Sequence, residues 1–206
     1  GGADPITPQA RGDRRHMQDA DALSVRESVA LPLNLEMGNT PEMVDFALRL
    51  KPDYICMVPE KREEITTEGG LDAVFHEKDL APTMARMADN GIQVSLFIDP
   101  EVPQVEAAAR LGAPMIELHT GCFANHSGRE RTEELARLKR AAELAHSLGI
   151  QVNAGHGINY QNLEQLLAGV PCLHELNIGH TIVSRALFVG MEQAVREMRQ
   201  AIDRLS

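Results

Sequence analysis

Residues 93–120 read QVSLFIDPEVPQVEAAARLGAPMIELHT, and this stretch decides the fold class. The nearly continuous apolar run at residues 94–98 predicts a parallel strand that is buried on both faces. A second predicted strand covers residues 115–120, and an Ala-rich helix at residues 105–111 lies between the two strands. A strand, a helix and a strand in succession are typical of a parallel sheet covered by helices. The stretch therefore predicts the α/β class.

The same alternation continues on both sides of this unit. It predicts seven strands in all, at residues 5–9, 31–36, 54–59, 93–99, 115–120, 151–154 and 175–178. The best-marked helix begins at Thr40 and Pro41, because threonine caps helices well and proline suits the first helical position. Further helices are predicted at residues 132–147, 163–167 and 191–205. The pattern contains no repeat and no linker, so we predict a single domain over residues 1–206.

Composition and charge exclude several classes of protein. The chain has 206 residues, of which 43% are hydrophobic and 24% are charged, so it can form one sizeable core and is not disordered or fibrous. Its net charge of −10 argues against nucleic acid as a partner. It has no apolar run of the roughly 18 residues that a membrane span needs, so we expect no membrane association. Three scattered cysteines without a CxxC pair (Cys56, Cys122 and Cys172) indicate reduced thiols and a cytoplasmic location.

Nearly every predicted strand carries an ionisable residue where it ends. These residues are Glu36, Asp99, Glu117, His119, His156 and His180. In parallel α/β sheets and barrels, ligands bind at the carboxyl ends of the strands, so we expect these side chains to converge at one mouth. Burying so many titratable groups lowers stability unless chemistry requires them. The pattern therefore predicts an active site at this end of the strands.

Two glycine-bearing turns indicate the class of ligand. Gly155-His156-Gly157 and Gly179-His180-Thr181 follow the last two predicted strands, and the second turn runs into a short helical stretch at residues 183–187. Glycines let backbone amides approach an anion closely, and a helix N-terminus adds a favourable dipole. Turns at this position form the common phosphate site of TIM barrels. We therefore predict a phosphorylated small molecule as substrate.

Six segments at these positions resemble one known family. They are NLEM at 34–37, VPEKR at 58–62 with TTEGGLD at 66–72, VSLFID at 94–99, ELHTG at 117–121, VNAGHG at 152–157 and ELNIGH at 175–180. Together they closely resemble the pyridoxine 5′-phosphate synthases, the last enzymes of the deoxyxylulose-dependent vitamin B6 pathway. The resemblance covers essentially the whole chain, and six motifs in the order of the family make it highly specific.

The resemblance implies a TIM (β/α)8 barrel that assembles into a homo-octamer and uses no metal and no organic cofactor. It implies a transferase that condenses 1-deoxy-D-xylulose 5-phosphate with 3-amino-2-oxopropyl phosphate. The condensation closes the pyridine ring of pyridoxine 5′-phosphate and releases phosphate and water. These steps are successive proton transfers, which call for a carboxylate and imidazoles within hydrogen-bond reach of one substrate.

The resemblance also implies roles for particular residues. Glu36 resembles the general acid and base of the family, His156 its proton donor, and Glu117 the carboxylate that stabilises the transition state. The positions that match the site for the deoxyxylulose phosphate are Arg11, His16 and Thr66. The positions that match the phosphate-binding turns for the aminoketone are Gly157, Gly179 and His180.

Two features depart from the family. A catalytic histidine of the family is replaced by Gln9, whose amide cannot accept a proton at neutral pH. Losing general-base catalysis typically costs about 10²–10⁴-fold in rate. The first strand of the family, with an Asn-x-Asp-His motif, and its first helix have no counterpart after Gly1. We therefore expect an N-terminally truncated barrel without that strand and helix, and an impaired activity.

Two alternatives stay open at this point. One is a metal-dependent barrel epimerase or aldolase, because carboxylates and imidazoles at strand ends also suit Zn²⁺ or Mn²⁺. Its ligands would come from Glu36, Glu117, His119, His156 and His180, but the sequence has no His-x-His or HExxH spacing. The other is a phosphate-ligand binder without catalysis, which Gln9 favours.

Overall fold

The computed structural model describes residues 2–14, 17–60 and 69–205. In this part of the chain, six parallel strands form one sheet in chain order. They are β1 (Asn34–Met37), β2 (Tyr54–Met57), β3 (Gln93–Ile98), β4 (Met115–His119), β5 (Gln151–Gly155) and β6 (Leu173–Asn177). The helices are α1 (Asp19–Ser28), α2 (Pro41–Leu50), α3 (Glu77–Asp89), α4 (Val102–Arg110), α5 (Gly121–Asn125), α6 (Gly128–Ser147), α7 (Leu163–Gly169), α8 (His180–Val189) and α9 (Met191–Asp203). Of these described helices, none is both long and apolar enough to cross a bilayer.

Strand β3 shows why the sheet is buried on both faces. Val94, Leu96 and Ile98 alternate along it and are buried, and helices α3 and α4 pack on this strand. Ser95 points the other way and is also buried, in register with Cys56 of β2. The predicted α/β class and six of the seven predicted strands are confirmed, with ends that differ by a few residues.

Helix α2 begins where the sequence predicts. The Thr40 hydroxyl accepts a hydrogen bond from the backbone N–H of Met43, and Pro41 occupies the first turn. The helix ends at Leu50, because Lys51 adopts a left-handed conformation with φ of 52°. Its inner stripe, which includes Phe46 and Ala47, is buried in the core.

Two predicted helices are longer in the structure. The helix predicted at residues 132–147 begins four residues earlier, at Gly128, after the extended Ser127. The short stretch predicted at residues 183–187 is the ten-residue helix α8, which begins directly after Gly179.

The prediction of a strand at residues 5–9 is wrong in part. This segment forms no continuous strand but two separate bridges, one from Ile6 to Leu33, just before β1, and one from Gln9 to Glu36 of β1. The backbone N–H of Glu36 donates to the carbonyl of Pro8, but Pro8 has no N–H to donate in return. The proline therefore interrupts the ladder although the segment still lies beside β1.

The sheet curls until its two sides approach each other. The Thr7 hydroxyl, from the segment beside β1, donates to Oδ1 of Asn177 at the end of β6, with a distance of 3.2 Å. An ion pair between Arg199 of α9 and Asp4 joins the same two sides. The described strands therefore form a curled parallel half-barrel, which is consistent with a TIM-like barrel. Their carboxyl ends face a common mouth.

Candidate active site

Glu36 and Gln9 are joined twice at the mouth. Their backbones form a parallel bridge, and Nε2 of Gln9 donates a hydrogen bond to Oε1 of Glu36 at 2.5 Å. Burial raises the pKa of the Glu36 carboxyl above its ordinary value, and the Gln9 hydrogen bond and the positive charge of Arg11 offset only part of this rise. Glu36 is therefore a carboxyl that can hold and release a proton nearer to neutral pH than a solvated glutamate.

Arg11 lies close enough to Glu36 to act on its charge, and its Nε atom is buried without a hydrogen-bond partner among the described residues. A buried guanidinium nitrogen without an acceptor lowers the stability of the folded protein, and a bound anion would supply the missing acceptor. The neighbouring Glu60 accepts a hydrogen bond from the N–H of Gly12 at 3.2 Å, and a Cβ atom at Gly38 would overlap its carboxylate. Glu60 was not among the predicted site residues, because its position depends on how the loops after β1 and β2 pack.

Glu117 of β4 is the most perturbed carboxyl of the site. Burial, followed by the negative charge of Glu36, raises the pKa of Glu117 to about 8. Its Oε2 accepts a hydrogen bond from Nδ2 of Asn177 at 2.7 Å, and the Cys56 thiol lies 3.6 Å from the same atom. A Cβ atom at Gly155 would overlap Oε1, so a side chain at this position of β5 would have to displace the Glu117 carboxyl. At neutral pH, Glu117 is therefore mainly protonated.

The thiol that contacts Glu117 is held in its protonated form. Burial raises the pKa of Cys56 well above its ordinary value, and the negative charge of Glu117 raises it further. Cys56 thus donates to the Glu117 carboxyl, and its protonated thiol is not a nucleophile. The three cysteines are free thiols, and only Cys56 is buried.

Asp99 and His119 form a pair at the ends of β3 and β4. Nδ1 of His119 lies 3.1 Å from Oδ1 of Asp99, which also accepts the N–H of Gly70 at 3.0 Å. The His119 ring is buried and contacts the ring of His156 edge to face, with centroids 5.0 Å apart. The sequence places both residues at strand ends, but it does not show that they pair.

His156 sits in a turn with an uncommon backbone conformation. Its φ is 83°, and the φ of Gly157 is 79°. The Thr120 hydroxyl lies 2.6 Å from the carbonyl oxygen of Gly155 and 2.7 Å from that of His156, so it holds the turn. This geometry exposes His156 at the mouth.

The turn at Gly157 adjoins the N-terminus of α8. The Thr181 hydroxyl donates to the carbonyl oxygen of Ile158 at 3.0 Å, which joins the two turns. Gly179 and His180 are exposed at the start of α8, and the space around Gly179 is open. The first amides of a helix lack partners within the helix, so this junction suits an anion such as phosphate.

A comparison with protein families matches residues 1–204 to the family described as the pyridoxal phosphate biosynthesis protein PdxJ. The chain belongs to the PdxJ family. This confirms the family predicted from the six motifs. Over 206 residues the chain is 98% identical to a pyridoxine 5′-phosphate synthase of Akkermansia muciniphila, an alignment that covers all of this chain and 84% of that protein. It is 53% identical over 200 residues to the pyridoxine 5′-phosphate synthase of Opitutus terrae, covering 96% of this chain and 80% of that protein.

Among solved structures, the chain resembles the mutually generated monomers of dimeric phosphoribosylantranilate isomerase from Thermotoga maritima. The TM-score is 0.61, and the alignment covers 99% of this chain and 89% of that chain. Because the sequences are only 11% identical, this likeness concerns the fold alone.

The structure brings most of the predicted PdxJ site residues into two groups. The first holds Gln9, Glu36 and Arg11, with Glu117 near enough to respond to the charge of Glu36. The second holds the turns of the predicted phosphate site, which contain His156, Gly157, Gly179 and His180. Two further predicted residues, His16 and Thr66, lie outside the described residues.

A metal site was the basis of one alternative to the PdxJ assignment. Among residues 2–14, 17–60 and 69–205, no three His, Cys, Asp or Glu side chains lie close enough together to hold a metal ion. In particular, Glu117 interacts with Asn177 and Cys56, and His119 with Asp99. Each of these side chains thus has a partner within the chain.

Proposed function

We propose that this chain catalyses the pyridoxine 5′-phosphate synthase reaction. The reaction condenses 1-deoxy-D-xylulose 5-phosphate with 3-amino-2-oxopropyl phosphate and releases pyridoxine 5′-phosphate, phosphate and water. The match of residues 1–204 to the PdxJ family and the 98% identity to a named synthase support it. The structural observation that carries the proposal is the pair of carboxyls with raised pKa values, Glu36 and Glu117, at the mouth of one curled sheet.

The two carboxyls suit different parts of this chemistry. Condensing an amine with a ketone, losing water and closing the ring require protons to be removed and returned repeatedly, and Glu36 has the raised pKa of a group that does both. Glu117 keeps its proton at neutral pH, because its pKa is about 8. Since Oε2 accepts from Asn177 and Cys56, Oε1 is the oxygen that carries the proton. A neutral carboxyl of this kind donates a hydrogen bond to the oxyanion that develops in the transition state.

The remaining residues bind phosphate and supply a proton. Arg11, with its unpartnered Nε, suits the phosphate of the deoxyxylulose substrate, together with His16 and Thr66. The joined turns at Gly157 and at Gly179 and His180 suit the phosphate of the aminoketone. His156, exposed beside that site, is placed to protonate the departing oxygen.

Gln9 changes one step of this scheme. Its amide donates to Glu36 and cannot remove a proton, so the proton transfers assigned to a histidine at this position fall to Glu36 or to water. We expect turnover that is lower than in a protein with histidine there. The same hydrogen bond favours a second candidate function, a binder of phosphorylated ligands without turnover.

The wider assembly is part of the proposal. The curl that brings Thr7 to Asn177 supports a (β/α)8 parent architecture, and a shared hydrophobic core supports one domain. The side chains of Leu187 and Phe188 on α8 are each 83% exposed, which supports burial in a homo-oligomer such as an octamer. The free cysteines support a cytoplasmic location. Light scattering after gel filtration measures the oligomeric state. A monomer at micromolar concentration contradicts the proposed homo-oligomer.

Turnover and binding separate the two candidate functions. The chain is incubated with both substrates while pyridoxine 5′-phosphate is measured, and calorimetry records the binding of each substrate alone. Product formation that Glu36→Gln abolishes supports the enzyme. Binding without product supports the binder, and absence of both contradicts both functions. Glu143→Gln, on the exposed face of α6, is the matched control.

A further inference from the structure

Asp99 and His119 form a pair that the proposed reaction does not yet use. The His119 side chain is only 3% exposed, and its Nδ1 lies 3.1 Å from Oδ1 of Asp99. The ring is buried, whereas the ring of His156, which it contacts, is exposed at the mouth. This contact is the route by which His119 would act on the reaction.

Hydrogen bonds fix which nitrogen of His119 carries its proton. Burial by itself raises the pKa of Asp99, but the hydrogen bonds from His119 and from the N–H of Gly70 outweigh it and leave this pKa below its ordinary value. Asp99 is thus an ionised acceptor, and Nδ1 of His119 is the donor. In the neutral ring, Nε2 is then an acceptor on the side away from Asp99.

Nε2 of His119 lies beside Gly121 and the ring of His156. A Cβ atom at Gly121 would lie 2.5 Å from this nitrogen and 3.2 Å from Cδ2 of His156. The two rings meet edge to face, with an interplanar angle of 73°. Glycine at the start of α5 therefore leaves the space in which the two imidazoles contact each other.

From this contact we infer that Asp99 and His119 are positioning residues for His156. Thr120 holds the backbone of His156 through its carbonyl oxygen, so the orientation of the exposed imidazole depends on the contacts of its side chain. Asp99 fixes the plane of the His119 ring, and that ring packs against one side of His156 and limits its rotation. The inference rests on the proton-donating role proposed above for His156.

Matched substitutions separate the contribution of the His119 ring from that of the Asp99 charge. His119→Asn keeps a donor near Nδ1 for Asp99 but removes the ring that packs on His156. Asp99→Asn removes the charge and keeps the shape, and its oxygen stays an acceptor because the N–H of Gly70 can only donate. His146→Asn, on the exposed face of α6, removes an imidazole far from the strand ends and is the control.

The kinetic test asks whether each substitution changes kcat or KM. Since misplacing a catalytic group by about 1 Å can cost about 10²-fold, His119→Asn should lower kcat by about 10–100-fold. KM should stay within about threefold, because the phosphate sites are intact. Asp99→Asn should lower kcat less, and His146→Asn should leave it unchanged. The decisive case is one in which the wild type is active and His156→Gln is inactive. If folded His119→Asn then has an unchanged kcat, the inference is overturned and the proposed function stands.

A second readout does not depend on activity. Nuclear magnetic resonance of ring-labelled histidines assigns the signals of His156 by their loss in His156→Gln. These signals should shift and broaden in His119→Asn and stay in place in His146→Asn. Unchanged His156 signals in folded His119→Asn overturn the inference, even where the wild type proves inactive and the proposed function has failed. Thermal unfolding of each variant confirms that it is folded.

Discussion

Gln9 donates a side-chain hydrogen bond to Glu36 across the same two residues whose backbones bridge the N-terminal segment to β1. The amide therefore orients the carboxyl that is proposed to transfer protons, but it cannot remove a proton itself. We therefore expect one proton-transferring group at this place, where the resemblance to the family implies two. This relationship determines what we expect from substitutions at position 9.

Restoring an imidazole at this position should raise turnover. Gln9→His adds a general base beside Glu36, so we expect kcat to rise by about 10²-fold or more. Gln9→Ala removes the hydrogen bond without adding a base and should not increase kcat. Steady-state assays of both variants measure the effect. A folded Gln9→His with no gain contradicts the assignment of a missing base to Gln9.

The raised pKa of Glu117 predicts how stability depends on pH. The folded chain holds this proton up to about pH 8, whereas an unfolded glutamate releases it near its ordinary pKa of 4.5. The unfolded state therefore binds fewer protons between these values, and the stabilising contribution of Glu117, complete below about pH 4.5, is lost as the pH rises through 8. Glu117→Gln is neutral at every pH and lacks this loss.

Urea unfolding of both proteins at pH 5 and pH 8 measures the difference. We expect the free energy of unfolding of the wild type to fall between these pH values, relative to Glu117→Gln, by on the order of a few kcal/mol. Titrating groups that do not interact with Glu117 cancel in the comparison, whereas Glu36 and Cys56, which interact with it, contribute to the difference. Parallel pH profiles would show that Glu117 titrates normally.

Gly155 should tolerate no side chain. A Cβ atom there overlaps Oε1 of Glu117, so Gly155→Ala must displace the carboxyl or the strand. Such overpacking typically costs about 1–3 kcal/mol, and we expect a lower Tm and a lower kcat. Gly179→Ala is the control for stability, because the space around Gly179 is open. An unchanged Tm in Gly155→Ala argues against the close contact between Oε1 of Glu117 and Gly155 described above.

The two proposed phosphate sites should respond separately. Arg11→Met should raise KM for 1-deoxy-D-xylulose 5-phosphate by about tenfold or more, because it removes a charged hydrogen bond worth about 1.5–3 kcal/mol. His180→Ala should raise KM for 3-amino-2-oxopropyl phosphate instead. Measuring KM for each substrate with the other saturating tests the assignment. Equal effects on both substrates in either variant would contradict two distinct sites.

The sequence predicts the placement of the site better than its internal contacts. Parallel strands end at a common edge, so Glu36, Glu117 and His156 could be expected at one mouth from their positions alone. The hydrogen bond from Asn177 to Glu117 could not be predicted, because the two side chains come from β6 and β4 and meet across Gly155 of the strand between them. The Asp99 and His119 pair depends in the same way on how β3 and β4 end side by side.

Local chemistry explains the errors at the element boundaries. The segment at residues 5–9 has a strand-like pattern, but Pro8 lacks the N–H that would continue the ladder. Helix α8 is longer than its pattern predicts, and three of its apolar residues, Val183, Leu187 and Phe188, are exposed. In this helix the usual relation between apolar periodicity and burial does not hold, so periodicity alone could not locate its ends.

The central claim is that this chain catalyses the condensation at the carboxyls of the mouth. The most direct measurement follows pyridoxine 5′-phosphate and inorganic phosphate together, in wild type and in Glu36→Gln, with both substrates at saturation. We predict that the wild type forms the two products in equal amounts and that Glu36→Gln forms neither above background. Absence of product from the wild type, or equal rates from the two proteins, would contradict the claim.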